Sequence, residues 1–167
     1  DTAGSEITIR SANLVASVTL QGRPTPPHER WSVPLRVSFT RVGESTPAYT
    51  FTPTTDNSGT FTITNQIAPG TYAVRVKKAT TLQNTVTVTL TAGSNHIDLG
   101  TLREGDADDD NNVMLIDFSI LRVAFGTCEG DANYDARADF SGDDCVNLID
   151  FSLLASNFAQ AGDRRPV

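Results

Sequence analysis

Residues 113–126 and 146–159 of this 167-residue chain read VMLIDFSILRVAFG and VNLIDFSLLASNFA, two copies of one pattern set 33 positions apart and identical at eight of fourteen sites. Each copy follows an acidic string, Asp106-Ala107-Asp108-Asp109-Asp110-Asn111-Asn112 before the first and Asp139-Phe140-Ser141-Gly142-Asp143-Asp144-Cys145 before the second. With the leading Asp as position 1, an Asp recurs at position 12 of both loops, Asp117 and Asp150. A loop of about 12 residues with oxygen donors at positions 1, 3, 5, 7, 9 and 12 wraps the roughly six to eight ligands that calcium takes. The first loop then offers Asp106, Asp108, Asp110, Asp117 and the carbonyl of Asn112, with a water expected in place of Met114 at position 9. The second offers Asp139, Ser141, Asp143, Asn147, Asp150 and the carbonyl of Cys145. Position 6 needs a left-handed backbone; Asn111 and Asp144 tolerate it better than most residues other than glycine. A single acidic string reads as readily as a solvated turn, and it is the duplication that selects a metal.

Charge points the same way. Residues 1–103 carry nine Lys/Arg against six Asp/Glu, whereas residues 104–167 carry four against fourteen. So many carboxylates repel one another in a compact fold unless cations neutralise them, so two calcium ions are expected and nucleic acid is not. A third string, Asp131-Ala132-Asn133-Tyr134-Asp135, lacks a position-12 carboxylate. It reads as a solvated turn, the other options being a third calcium near Asp131, Asn133 and Asp135 or a ligand donated to the second loop.

A helix is expected after each loop, from Leu115 to about Phe125 and from Leu148 to about Phe158. Phe118, Leu121 and Phe125, and likewise Phe151, Leu154 and Phe158, would face a small core. Leu115, Ile116, Ile120, Leu148, Ile149 and Leu153 are apolar too, so a second face needs a cover. A unit of this size buries too little surface to fold alone, so its folding is expected to depend on the metal. Cys128 and Cys145, with no His nearby, exclude a zinc cluster and leave a disulfide or two free thiols; an oxidising compartment favours the disulfide.

Two loop–helix halves without a preceding helix resemble a type I dockerin, over Gly105 to about Asp163. The resemblance implies a cohesin partner read by loop positions 10 and 11 and two helix positions: Leu115, Ile116, Arg122 and Val123 in one half, and Leu148, Ile149, Ala155 and Ser156 in the other. Cellulosomal dockerins commonly carry polar residues at positions 10 and 11, whereas these pairs are apolar and offer themselves equally to a β-sandwich of the same or a neighbouring chain. The dockerin arrangement also sets the helices antiparallel, bringing Cys128 toward Cys145.

Across the first hundred residues apolar and polar positions alternate: Ile7 and Ile9, Val18 and Leu20, Val33 to Phe39, Phe61 and Ile63, Tyr72 to Val76, Val86 to Leu90, Ile97 and Leu99. Turn signals at residues 23–27, 56–59, 68–70 and 92–95 separate them, and about seven short strands so punctuated predict a Greek-key β-sandwich. Residues 59–100, with Pro69-Gly70 entering Tyr72 and Val74, resemble the carboxypeptidase-regulatory-like or prealbumin-like domains of bacterial surface proteins, which implies a spacer role. The expected organisation is thus a sandwich over 1–103, a small α-helical dockerin-like calcium unit over 104–163, and a tail over 164–167.

No nucleophile–base pair, GxSxG, HExxH or phosphate-binding glycine loop is present, and no enzyme is expected. His28 and His96 stand singly, and Trp31, Tyr49 and Tyr72 read as core or rim residues rather than a sugar platform. No apolar run of about 18 residues occurs. The start at Asp1, without a Lys/Arg-rich leader, fits a mature secreted chain or an excised fragment, and the expected location is extracellular, at a bacterial surface. Two functions follow. The favoured one is a calcium-locked subunit assembling with its own copies into a filament or layer, the strand-like residues 1–10 pairing with a neighbour's sheet edge. The alternative is a docking module that carries a cargo to a cohesin-bearing scaffold.

Overall fold

A computed structural model describes residues 10–164; the proposed exchange strand, with Ile7 and Ile9, lies outside the described residues except for Arg10. Strand alternation resolves into β1 (Ala12–Leu20), β2 (Arg36–Arg41), β3 (Tyr49–Phe51), β4 (Thr60–Ile67), β5 (Gly70–Lys77), β6 (Asn84–Leu90) and β7 (Gly93–Leu102). They form a three-stranded sheet β4-β1-β7 and a four-stranded sheet β3-β2-β5-β6, with β1 and β7 parallel. The inward side chains make one core, in which Val37 lies opposite Val76 and Phe39 opposite Val74. Trp31 and Tyr72 are buried in it and Tyr49 packs against it, so the aromatics are core residues. Phe39 meets Tyr72 edge-on at 5.9 Å between ring centroids. β3 escaped the alternation because three residues show no period, and the turn expected at 92–95 is shorter, since β7 already begins at Gly93.

After the sandwich come α1 (Leu115–Ala124), a short ladder of β8 (Thr127–Cys128) and β9 (Cys145–Val146), and α2 (Leu148–Asn157). Their second hydrophobic cluster holds Val113, Leu121, Ala124, Ala138, Phe140, Val146 and Leu154, and also Leu82 from the β5–β6 connection of the sandwich. The buried helix positions are Asp117, Leu121 and Ala124, then Asp150, Leu154 and Asn157. This corrects the expected stripes: Phe125 and Phe158 fall at the helix ends in non-helical backbone and are exposed, and Phe151 is exposed while packing edge-on against the half-buried Phe118.

The expected division at 103/104 falls within a polar seam. Glu104 is fully buried and takes Lys78 at 2.9 Å, the Thr80 hydroxyl at 2.6 Å and Arg23 at 3.6 Å. Its amide donates to Gln21 Oε1, which also accepts from Asn157 Nδ2, and Asn157 Nδ2 donates to the Glu104 carbonyl. Beyond α2 the chain returns to the sandwich: Gly162 N donates to the Asn111 carbonyl, Asp163 N to the Gln83 carbonyl, and Thr85 N to Asp163 Oδ2. A Cβ on Gly162 would stand 2.4 Å from the Gln83 amide nitrogen, so only glycine permits this approach.

Leu82→Ala should destabilise the chain by roughly 2–5 kcal/mol, because the cavity opens where the sandwich plugs the second cluster; urea denaturation followed by near-UV circular dichroism measures it.

Candidate functional site

Both acidic loops fold into the same hydrogen-bonded turn. Asp117 Oδ1 accepts from the amides of Ala107 and Asp108 while Oδ2 accepts from Met114 N at 2.7 Å; Asp150 repeats this with Ser141 N and Asn147 N, both at 2.8 Å. Position 12 therefore closes the loop and caps the first turn of the helix together. Position 1 gathers the other end: Asp106 accepts from Asp110 N and Asn111 N, and Asp139 from Gly142, Asp143 and Asp144 N. The turns require positive φ at positions 4 and 6, adopted by Asp109 and Asn111 in one loop and by Gly142 and Asp144 in the other.

The folding brings together Asp106, Asp108 and Asp117 in one loop, and Asp139, Asp143 and Asp150 in the other, with carboxylate oxygens within 4.8 Å of one another. Asp110, exposed and outside that group, accepts from Asn112 N at 2.8 Å. Ser141 Oγ lies 3.4 Å from Asp139, and Asn147 caps α2 by accepting from Ile149 N. Cys145 and Asn112 occupy position 7 of their loops. Asp106, Asp117 and Asp150 are at most 1% exposed. Burial raises the Asp106 and Asp150 carboxyls above their usual range, against hydrogen bonds from Lys77 at the former and from the Asn147 and Ser141 amides at the latter. Converging buried carboxylates are stable as anions only beside a cation, and an all-oxygen donor set suits a hard divalent ion. Between the loops, Asp135 is held by Arg137 at 2.7 Å and Asp131 accepts from Cys128 N, so this string forms a local turn.

The sequence did not reveal which groups reach the loops from outside. Lys77, at the end of β5, places its ammonium 2.5 Å from Asp106 Oδ2 and 2.9 Å from Asp109 Oδ1, and Arg36 of β2 grips Asp109 through two hydrogen bonds of 2.7 and 2.6 Å. Burial works against ionisation of Asp109, but these bonds hold its carboxyl below the usual range. In the second loop Tyr134 donates to Asp139 Oδ2 at 3.3 Å, and burial followed by the Asp139 charge raises its phenol. Arg23 donates to the Phe140 carbonyl and lies over Gly142. Strand alternation gives no hint of such contacts, since they join residues far apart in the chain.

Cys128 and Cys145 form a disulfide across the β8–β9 ladder, Cα to Cα 3.9 Å. The eight expected partner-binding residues, Leu115, Ile116, Arg122, Val123, Leu148, Ile149, Ala155 and Ser156, are all exposed. Leu115, Ile116, Leu148 and Ile149 are 69%, 59%, 66% and 52% exposed, which corrects the option that these pairs pack on the chain's own sandwich. The sandwich meets Leu153 instead: a Cβ on Gly22 would stand 2.5 Å from it.

No family model matches the sequence, and no curated protein matches it. Among solved structures the chain is similar to a C-terminal interface mutant of a type II cohesin–X–dockerin complex from Acetivibrio cellulolyticus, with a TM-score of 0.70 and 22% identity over 90% of this chain and 97% of that one. It is also similar to the N-terminal interface mutant of such a complex from the same organism, with a TM-score of 0.67 and 25% identity over the same shares. The likeness establishes the fold, a mostly β sandwich with two short helices. No helix among the described residues is long and apolar enough to cross a membrane.

Replacing both cysteines by serine should cost about 3 kcal/mol, as expected for opening a cross-link of 17 residues' separation; the shift in the urea midpoint against the oxidised chain reads it.

Proposed function

We propose that the chain is a non-enzymatic, extracellular docking module, folded as a sandwich and a duplicated calcium loop–helix unit, that binds a cohesin-like protein through its exposed helix face. The observation that carries this reading is the open apolar surface of α1 and α2. Leu115, Ile116, Val123, Leu148 and Ile149 leave more than half of their area in water, on helices whose other sides are packed. Large apolar side chains left in water on helices otherwise packed mark a surface awaiting a partner. The buried oxygen clusters support calcium, one ion per loop, as the ion that fixes both helix starts and so the geometry of that face.

The similar complexes pair a cohesin with an X–dockerin, and the likeness covers more of this chain than its sandwich holds, so it extends into the loop–helix repeats. That extent favours docking onto a foreign partner over assembly into a filament or layer of copies. The disulfide suits an oxidising, extracellular setting, and a bacterial cell surface fits that reading.

Calorimetric titration against a type II cohesin should show binding in millimolar calcium that disappears on chelation. Leu115→Asp with Leu148→Asp should weaken binding at least about 100-fold while leaving the fold within about 1 kcal/mol of the parent, both sites being exposed. Light scattering of the chain alone that shows calcium-dependent polymers, with no cohesin binding, would return the case to self-assembly.

A further inference from the structure

The two acidic loops repeat each other in sequence and hydrogen bonding, yet the sandwich treats them differently. Position 1 of each presents an inner oxygen, which accepts amides of the loop, and an outer oxygen that also accepts the position-6 amide. On the outer oxygen of Asp106 sits the Lys77 ammonium; on that of Asp139 sits the neutral Tyr134 phenol. Position 4 is Asp109 in the first loop, held by both Lys77 and Arg36, and Gly142 in the second. Lys77 and Arg36 are register partners on β5 and β2, so both charges are delivered from one end of the two central strands of the four-stranded sheet. Lys77 is nearly buried and also donates to the Thr81 carbonyl, which fixes its aim. Arg23, which reaches the second loop from the sandwich, donates to the Phe140 carbonyl and, among the described residues, pairs with Glu104 rather than with any loop carboxylate.

Resting on the calcium reading above, we infer that Lys77, assisted by Arg36, is a positioning residue that serves as resident counter-cation of the first loop and makes it the weaker of two unequal calcium sites. Without metal, the ammonium offsets the repulsion among Asp106, Asp108 and Asp117 and keeps the loop closed. Once an ion enters, the same ammonium repels it. The contact therefore stabilises the metal-free loop more than the loaded one, which lowers affinity by linkage. The second loop, with no cation on its carboxylates among the described residues and its position-7 residue tied by the disulfide, fills first. Calcium in the first loop is then coupled to the seam that joins the repeats to the sandwich.

The test is calorimetric titration of the chelator-stripped full chain with calcium alone, together with melting in chelator and in saturating calcium. Two steps separated by about tenfold or more are expected, about 1.4 kcal/mol. Asp150→Asn should remove the tighter step and Asp117→Asn the weaker. Lys77→Met should tighten the weaker step about tenfold and lower the melting temperature in chelator more than in calcium. Arg36→Gln, at an exposed position that puts no core contact at risk, should move both readouts in the same direction by less. Equal losses of melting temperature with and without calcium, or an unchanged or weakened first-loop step in both variants, would reduce Lys77 to an ordinary ion pair and overturn the inference while leaving the calcium reading intact. A parent chain that binds no calcium would overturn the calcium reading, and this inference with it.

Discussion

Carboxylates buried inside short turns are what the C-terminal third is organised around. A buried anion is costly unless hydrogen bonds and an opposite charge surround it. Here the backbone supplies the hydrogen bonds: amides of positions 3 and 9 converge on position 12, and amides of positions 5 and 6 on position 1. The same bonds fix the turn and start the helix, so loop closure and helix initiation are one event. Charge balance is the remaining demand, and among the described residues it is met unequally, with sandwich cations on the first loop and none on the carboxylates of the second.

The sandwich is accordingly more than a neighbour. It lends Leu82 to the second cluster and takes back the C-terminal return through Gln83 and Thr85, and it encloses Glu104 within a ring of donors. Leu82 shares its cluster with Leu121 and Leu154, and the Glu104 carbonyl accepts from Asn157, so the sandwich covers the side of the helices that carries these three. Burial of that side leaves Leu115, Ile116, Leu148 and Ile149 outward, which is why the open apolar surface is a property of the whole chain rather than of the repeats alone.

Much of this was legible in the residues. The 33-residue repeat located both loops and both helices to within a residue at each end, because position 12 must cap the helix that follows it. Among the described residues alternation found six of the seven sandwich strands and missed Tyr49–Phe51, where three residues carry no period. The aromatic stripe ends one helical step early: Phe125 and Phe158 fit an ideal helix running on, but the backbone leaves helical geometry there.

By itself the sequence determined what is local and repeated: strand periodicity, loop spacing, helix starts and the donor types at each loop position. These follow from backbone geometry and from oxygen chemistry within about a dozen residues of chain. Only the tertiary structure decided which of two apolar helix faces is covered, that Lys77 and Arg36 reach Asp106 and Asp109, and that residues 159–163 stitch the first loop to the sandwich. Those are contacts between segments tens of residues apart, selected by how two cores fit together, and no local pattern encodes that fit.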